Sequence, residues 1–196
     1  MKTQKNRMST ETMVLGAVLT ALVVILQFMG AFIKLGPFSI SLVLVPIVIG
    51  AATCGVGMGT WLGLIFGVVV LASGDAAAFL AVNVAGTIVT VLLKGIVCGL
   101  IAGLVYKWVE KFNSYAAVTA AAIACPLANT GVFLLGCFIF FMDTVAEWAA
   151  GFGFGNDVAR YMIFGLVGGN FLFELGTNII LSPVIVRLLN IRKMQK

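Results

Sequence analysis

Lys94 and Glu174 stand alone as ionisable residues deep within long apolar stretches, and each has polar neighbours at helical spacing. Asn83, Thr87, Thr90 and Lys94 follow one another at steps of four, three and four, and Asn170, Glu174, Thr177 and Asn178 at steps of four, three and one. Each set falls on one face of a helix. Asn129 and Thr130 add an amide and a hydroxyl just after Pro126. A Lys or Glu at the centre of a bilayer costs about 2.5–3.5 kcal/mol or more, so it faces protein or water. Lys94 and Glu174 are placed to pair. One reading is a buried ion pair that, with its amide neighbours, only fixes helix packing. The other is a functional pocket, favoured because intramembrane ionisable residues are rare and usually functional. Asn offers both donors and acceptors at a fixed site, which suits a polar heterocycle or a carboxylated small molecule. Asn83, Thr87, Thr90, Lys94, Asn129, Thr130, Asn170, Glu174, Thr177 and Asn178 are therefore the candidate substrate-binding residues.

Other chemistries are absent from the sequence. There is no His, hence no Ser-His-Asp triad, His-based metal site or His proton relay. Cys54, Cys98, Cys125 and Cys137 show no CxxC spacing and read as small apolar packing residues in reduced form. No GxxxxGK[ST] stretch occurs, so the chain carries no P-loop of its own. No nucleophile–base pair or metal set is legible; the expectation is a non-enzyme with no catalytic residue, metal or cofactor.

The elements that must position the polar faces follow from composition. Of the 196 residues, 62% are hydrophobic and 10% charged, against about 45–50% and about 25% in a soluble domain. The charges are too few to clothe an apolar core in water, and the apolar content excludes disorder. Charge-free runs of 22 residues between Glu11 and Lys34, 40 between Lys34 and Asp75, 18 between Asp75 and Lys94 and 31 between Lys111 and Asp143 compare with the about 20 residues of a membrane span. The predicted fold is an all-α integral membrane protein: one transmembrane domain over 1–196, with six helices near 12–33, 39–54, 57–72, 82–106, 115–142 and 158–190. Within 39–72, two short spans joined by a glycine-rich turn and a re-entrant hairpin both fit. The basic start, Met1–Arg7, precedes an apolar run too long for a signal core and is read with the first span.

Six spans put both termini on one side. That side collects Lys2, Lys5, Arg7, Lys107, Lys111, Arg187, Arg192, Lys193 and Lys196, and the other only Lys34 and Arg160, with Asp75, Asp143, Glu147 and Asp157. This positive-inside pattern places both ends in the cytoplasm and accounts for the net charge of +5 without nucleic acid. Every Trp and Tyr falls near a predicted helix end, the level that amphipathic rings favour. Depth counted at about 1.5 Å per residue sets Lys94 about 18 Å and Asn129 about 21 Å from the cytoplasmic ends of their helices, with Glu174 mid-helix.

Small residues form seams. Ala51, Gly55, Gly59, Gly63 and Gly67 recur every four residues, as do Gly95, Gly99 and Gly103, and Gly165 and Gly169. Such seams allow close backbone approach, the chief source of helix association in lipid. They serve packing within the chain or docking of another membrane protein. Between the fifth and sixth spans, Gly151-Phe-Gly-Phe-Gly155 is either a lid or an ordinary loop.

Taken together, the six-helix layout, the Ala17-x-x-x-Ala21 motif, Pro46-Ile-Val-Ile-Gly50 followed by Trp61-Leu-Gly-Leu-Ile-Phe-Gly67, and Asn170 through Ser182-Pro183 resemble a substrate-binding S component of an energy-coupling factor (ECF) vitamin transporter. The resemblance implies binding of a water-soluble vitamin from outside the cell. It also implies docking, through Ala17 and Ala21, on a transmembrane coupling subunit driven by two ABC ATPases, in a prokaryotic plasma membrane. Ser39-Ile-Ser-Leu-Val-Leu-Val-Pro46 departs from the acidic segment of riboflavin-binding members, which counts against riboflavin and leaves pantothenate, folate and related polar metabolites, or a modified-base precursor, open. The alternatives are an ion-coupled secondary transporter using Lys94 and Glu174, though no inverted repeat is legible, and a non-transport membrane scaffold.

Overall fold

The computed structural model describes residues 10–31, 34–35, 38–39 and 42–194. Lys2, Lys5, Arg7 and Lys196, which carry part of the orientation expectation, lie outside the described residues. Helix α1 spans Thr10–Gly30. Two strands of two residues, β1 (Lys34–Leu35) and β2 (Phe38–Ser39), then pair antiparallel, Lys34 opposite Ser39. Helices α2 (Leu44–Cys54), α3 (Val56–Ala72), the single turn α4 (Ala77–Leu80), α5 (Val84–Val109), α6 (Ser114–Phe140), α7 (Met142–Gly151) and the short α8 (Val158–Arg160) follow. A π-helical turn at Tyr161–Leu166 leads into α9, Gly168–Met194.

Four helices, α1, α5, α6 and the Gly168–Arg187 part of α9, are long and apolar enough to cross a membrane. Helices α2 and α3 are apolar but shorter, with 11 and 17 residues. At about 1.5 Å per residue α2 is about 17 Å long, roughly half the hydrocarbon thickness. Gly55 alone separates them. Its φ of 93° lies in the left-handed region that glycine enters without penalty, so the chain breaks there and α2 packs back on α3.

The bundle is assembled along a glycine seam. Helix α3 packs along α5, α5 along α6, and α6 along α9. A Cβ on Gly59 would meet the Gly99 carbonyl oxygen at 2.8 Å, one on Gly67 that of Val91 at 2.9 Å, and a Cβ on either Gly63 or Gly95 would run into the carbonyl oxygen of the other. Most of the first two of the three predicted seams therefore serves packing within the chain. Nothing lies within 4 Å of a Cβ built on Gly169.

The predicted span near 158–190 is three consecutive segments, not one unbroken α-helix. A Cβ on Gly168 would meet the Ile163 carbonyl oxygen at 2.8 Å, so the chain turns tightly there only because glycine lacks one. Two prolines lie inside helices. Pro183 cannot donate to the Ile179 carbonyl four residues earlier, and the Ser182 hydroxyl donates to that oxygen instead, at 2.8 Å. Pro126 likewise lacks the N–H that would bond back inside α6, three residues before Asn129.

Two apolar cores result. The larger joins α1, α2, α3, α5, α6 and α9 around Val23, Ile47, Leu62, Phe66, Cys98 and Ile185. The smaller joins Phe79, Cys137, Phe141, Val145, Ala149, Tyr161 and Leu166 from α4, α6, α7 and the π-turn. The four cysteines are free thiols, and Cys98, Cys125 and Cys137 are buried.

Candidate substrate-binding site

Lys94 projects from α5 between two rings. Its Nζ lies 5.2 Å from the centroid of Phe66 on α3 and 5.7 Å from that of Phe133 on α6. The ring faces attract the ammonium, but they accept no N–H···O bond. The side chain is half-buried and makes no hydrogen bond among the described residues.

Two cavities meet at Lys94 and Phe133. The first, about 40 Å³, is lined also by Asn129, Thr130, Val167, Asn170 and Phe171. The second, about 30 Å³, is lined by Asp75, Thr87, Thr90, Val70, Val91 and the rings of Phe79 and Phe141. Each has room for a few water molecules at most, so a larger ligand must part the walls, which are apolar with a few polar groups.

Glu174 stands behind the first cavity, only 2% exposed. Asn129 Nδ2 donates to its Oε2 at 3.4 Å and Asn170 Nδ2 to its Oε1 at 3.3 Å. Each amide turns its NH₂ to Glu174, whose carboxyl oxygens accept. Asn129 Oδ1 and Asn170 Oδ1 are left buried without a partner. Lys94 and Glu174 lie close enough to feel each other's charge, but no direct ion pair joins them among the described residues. Glu174 takes its hydrogen bonds from amides and Lys94 rests on rings.

The second cavity holds a carboxyl group that the site prediction did not include. Asp75 lies between α3 and α4. Gln27, 2% exposed on α1, donates Nε2 to Asp75 Oδ2 at 3.4 Å. Asp75 Oδ1 is buried and unpartnered, as is Thr90 Oγ1. Gln27 is the one amide between residues 12 and 33, a signal available in the sequence but hidden by the apolar run around it. The rings of Phe66, Phe79, Phe133 and Phe141 had no such signal, because Phe occurs throughout the spans.

The remaining predicted residues have varied places. Thr87, 1% exposed, lines the second cavity and donates to the Asn83 carbonyl at 2.7 Å. Asn83 itself caps α5, accepting from Gly86 N at 2.9 Å, a local role that Asn favours. Thr130 lines the first cavity. Asn178 is buried and donates to the Glu174 backbone carbonyl at 2.8 Å. Thr177 Oγ1 returns to the carbonyls of Phe173 and Glu174, so it joins neither cavity lining.

The glycine–aromatic loop closes over the smaller core. Phe152 stacks on Tyr161 at 5.8 Å, and Phe154 meets the same ring edge-on at 5.4 Å. Gly153 and Gly155 take φ of 83° and 57°, which frees both rings to reach Tyr161. On α1, Gly16 and Leu19 turn inward, while Ala17 and Ala21 are exposed beside Val14 and Val18, each 59% exposed.

The model of one protein family, the ECF transporter substrate-specific component, matches residues 11–186. No curated protein matches the chain.

Proposed function

Since the chain belongs to the substrate-specific components of ECF transporters, a family of multi-pass membrane proteins that serve transport, we propose that it captures a water-soluble vitamin or related micronutrient from outside the cell in the two cavities that meet at Lys94. The carrying observation is that ammonium. Lys94 is held by rings in the middle of a bundle and borders two cavities whose lining residues carry four buried oxygens without partners. A purely structural ion pair would consume its own charge. Here Glu174 is satisfied by two amides, and the Lys94 donors remain for a ligand.

Delivery follows by docking on a transmembrane coupling subunit driven by two ABC ATPases, with Ala17 and Ala21 as the docking residues. Both are small and exposed, which lets a partner helix approach closely. We place six spans in a prokaryotic plasma membrane with both termini cytoplasmic, as the Lys and Arg distribution favours. An ion-coupled carrier built on Lys94 and Glu174 asks those two groups to exchange an ion directly. Their present partners, two rings and two amides, suit binding instead.

The test is uptake in vesicles carrying the chain with a coupling subunit and its two ATPases. Uptake that requires ATP hydrolysis and collapses in Lys94→Met supports the reading. Uptake by the chain alone, abolished by an uncoupler, opposes it.

A further inference from the structure

Resting on the Lys94 site as the substrate site, we infer that the bound molecule carries at most one net charge, with a central acceptor on Lys94 and hydroxyl, amine or amide N–H donors on either side of it, and that doubly charged anions are excluded. The pattern follows from which polar atoms of the wall are unspent. Lys94 lies at the junction of the two cavities with no hydrogen-bond acceptor of its own, so the ligand must accept there. On one side Asp75 Oδ1 is a buried acceptor without a partner, and the Thr90 hydroxyl, also unpartnered, can donate or accept; on the other side Asn129 Oδ1 and Asn170 Oδ1 are unpartnered acceptors. An unmet buried acceptor keeps its full desolvation penalty, so the ligand must donate on both sides. The two amides cannot reverse to offer NH₂ groups without abandoning Glu174.

Charge sets the exclusion. The linings hold one ammonium, Lys94, and already carry one carboxyl group, Asp75. Like charges in a site of low dielectric repel strongly. A phosphate monoester or a dicarboxylate would bring two further negative charges to a single cation. It would also set acceptors against the three orphan acceptors, Asp75 Oδ1, Asn129 Oδ1 and Asn170 Oδ1.

The test uses the full chain purified in detergent. Mass spectrometry identifies any retained molecule. Calorimetric titration compares riboflavin, thiamine, pyridoxal and pantothenate with flavin mononucleotide, thiamine pyrophosphate, pyridoxal phosphate and phosphopantothenate, and includes folate as a dicarboxylate. The retained or titrating compound is expected in the unphosphorylated group. Its phosphorylated counterpart should bind about 100-fold more weakly, the scale of two or more charge-assisted hydrogen bonds lost or opposed. Asn170→Leu should weaken binding about tenfold, the scale of one such bond. A retained phosphate ester or folate, or equal affinity within a pair, overturns the inference and leaves the transport reading standing. A chain that retains nothing and titrates nothing overturns the transport reading as well.

Discussion

Asn129 on α6 donates to Glu174 on α9 at 3.4 Å, and this contact fixes which way the amide points. Glu174 is thus a positioning residue. It lies outside the cavity lining and sets the polarity of two residues that form it. Glu174→Gln keeps the shape but lets the new amide donate as well as accept. Asn129 and Asn170 are then free to turn over. Substrate affinity should fall about tenfold, the worth of one well-made hydrogen bond, with thermal unfolding little changed. Glu174→Leu leaves both NH₂ groups buried without an acceptor and should cost about 1–3 kcal/mol of stability. Titration and unfolding of the two variants separate these effects. Unchanged affinity in Glu174→Gln would remove the positioning role.

Gln27 ties α1 to the second cavity through Asp75. Gln27→Leu removes the donor from a carboxyl group whose other oxygen already has none. The carboxylate loses its fixed orientation, and substrate affinity should fall about three- to tenfold, within the range for hydrogen bonds to charged groups. Assembly with the coupling subunit should persist, because Ala17 and Ala21 lie on the exposed side of α1. Titration and co-purification check the two halves separately.

Ala17→Leu and Ala21→Leu should act in the opposite sense. Larger side chains keep a partner helix at a distance, so recovery of the coupling subunit on the tagged chain should drop sharply while ligand affinity stays within twofold (roughly 0.4 kcal/mol). Full recovery of the complex would move the docking surface elsewhere.

Helix α3 contains its own control for the seam. Gly63 faces the Gly95 backbone, whereas a Cβ on Gly57 meets nothing within 4 Å. Gly63→Ala should destabilise by about 1–3 kcal/mol through overpacking. Gly57→Ala should be neutral or stabilising by up to about 1 kcal/mol, the helix-propensity gain. Thermal unfolding in detergent decides, and equal effects would mean that the seam is not tightly closed in the membrane.

Much of this arrangement is legible in the sequence because bilayers punish irregularity. Long charge-free runs and a lone Lys94 and Glu174 mark helices and a site by expense alone. Gly59, Gly63, Gly95 and Gly99 reveal a seam by spacing, but only the fold shows that α3 and α5 are its two sides. What the spacing misses is tertiary. Lys94 and Glu174 share a depth, yet the carboxylate meets Asn129 and Asn170 and the ammonium meets Phe66 and Phe133. Asp75 reads as a loop acid until the turn after α3 brings it to Thr90 and Lys94. The break at Gly168 is hidden as well, since nothing in the apolar pattern of 158–190 distinguishes a π-turn from a continuing helix.

The most direct measurement is native mass spectrometry of the chain and of Lys94→Met, expressed and purified in parallel, with circular dichroism confirming equal helix content. The wild-type chain should carry one small molecule and the variant none, with Lys94→Arg retaining it in part. Equal occupancy in the wild-type chain and Lys94→Met would contradict a substrate site centred on the ammonium between Phe66 and Phe133.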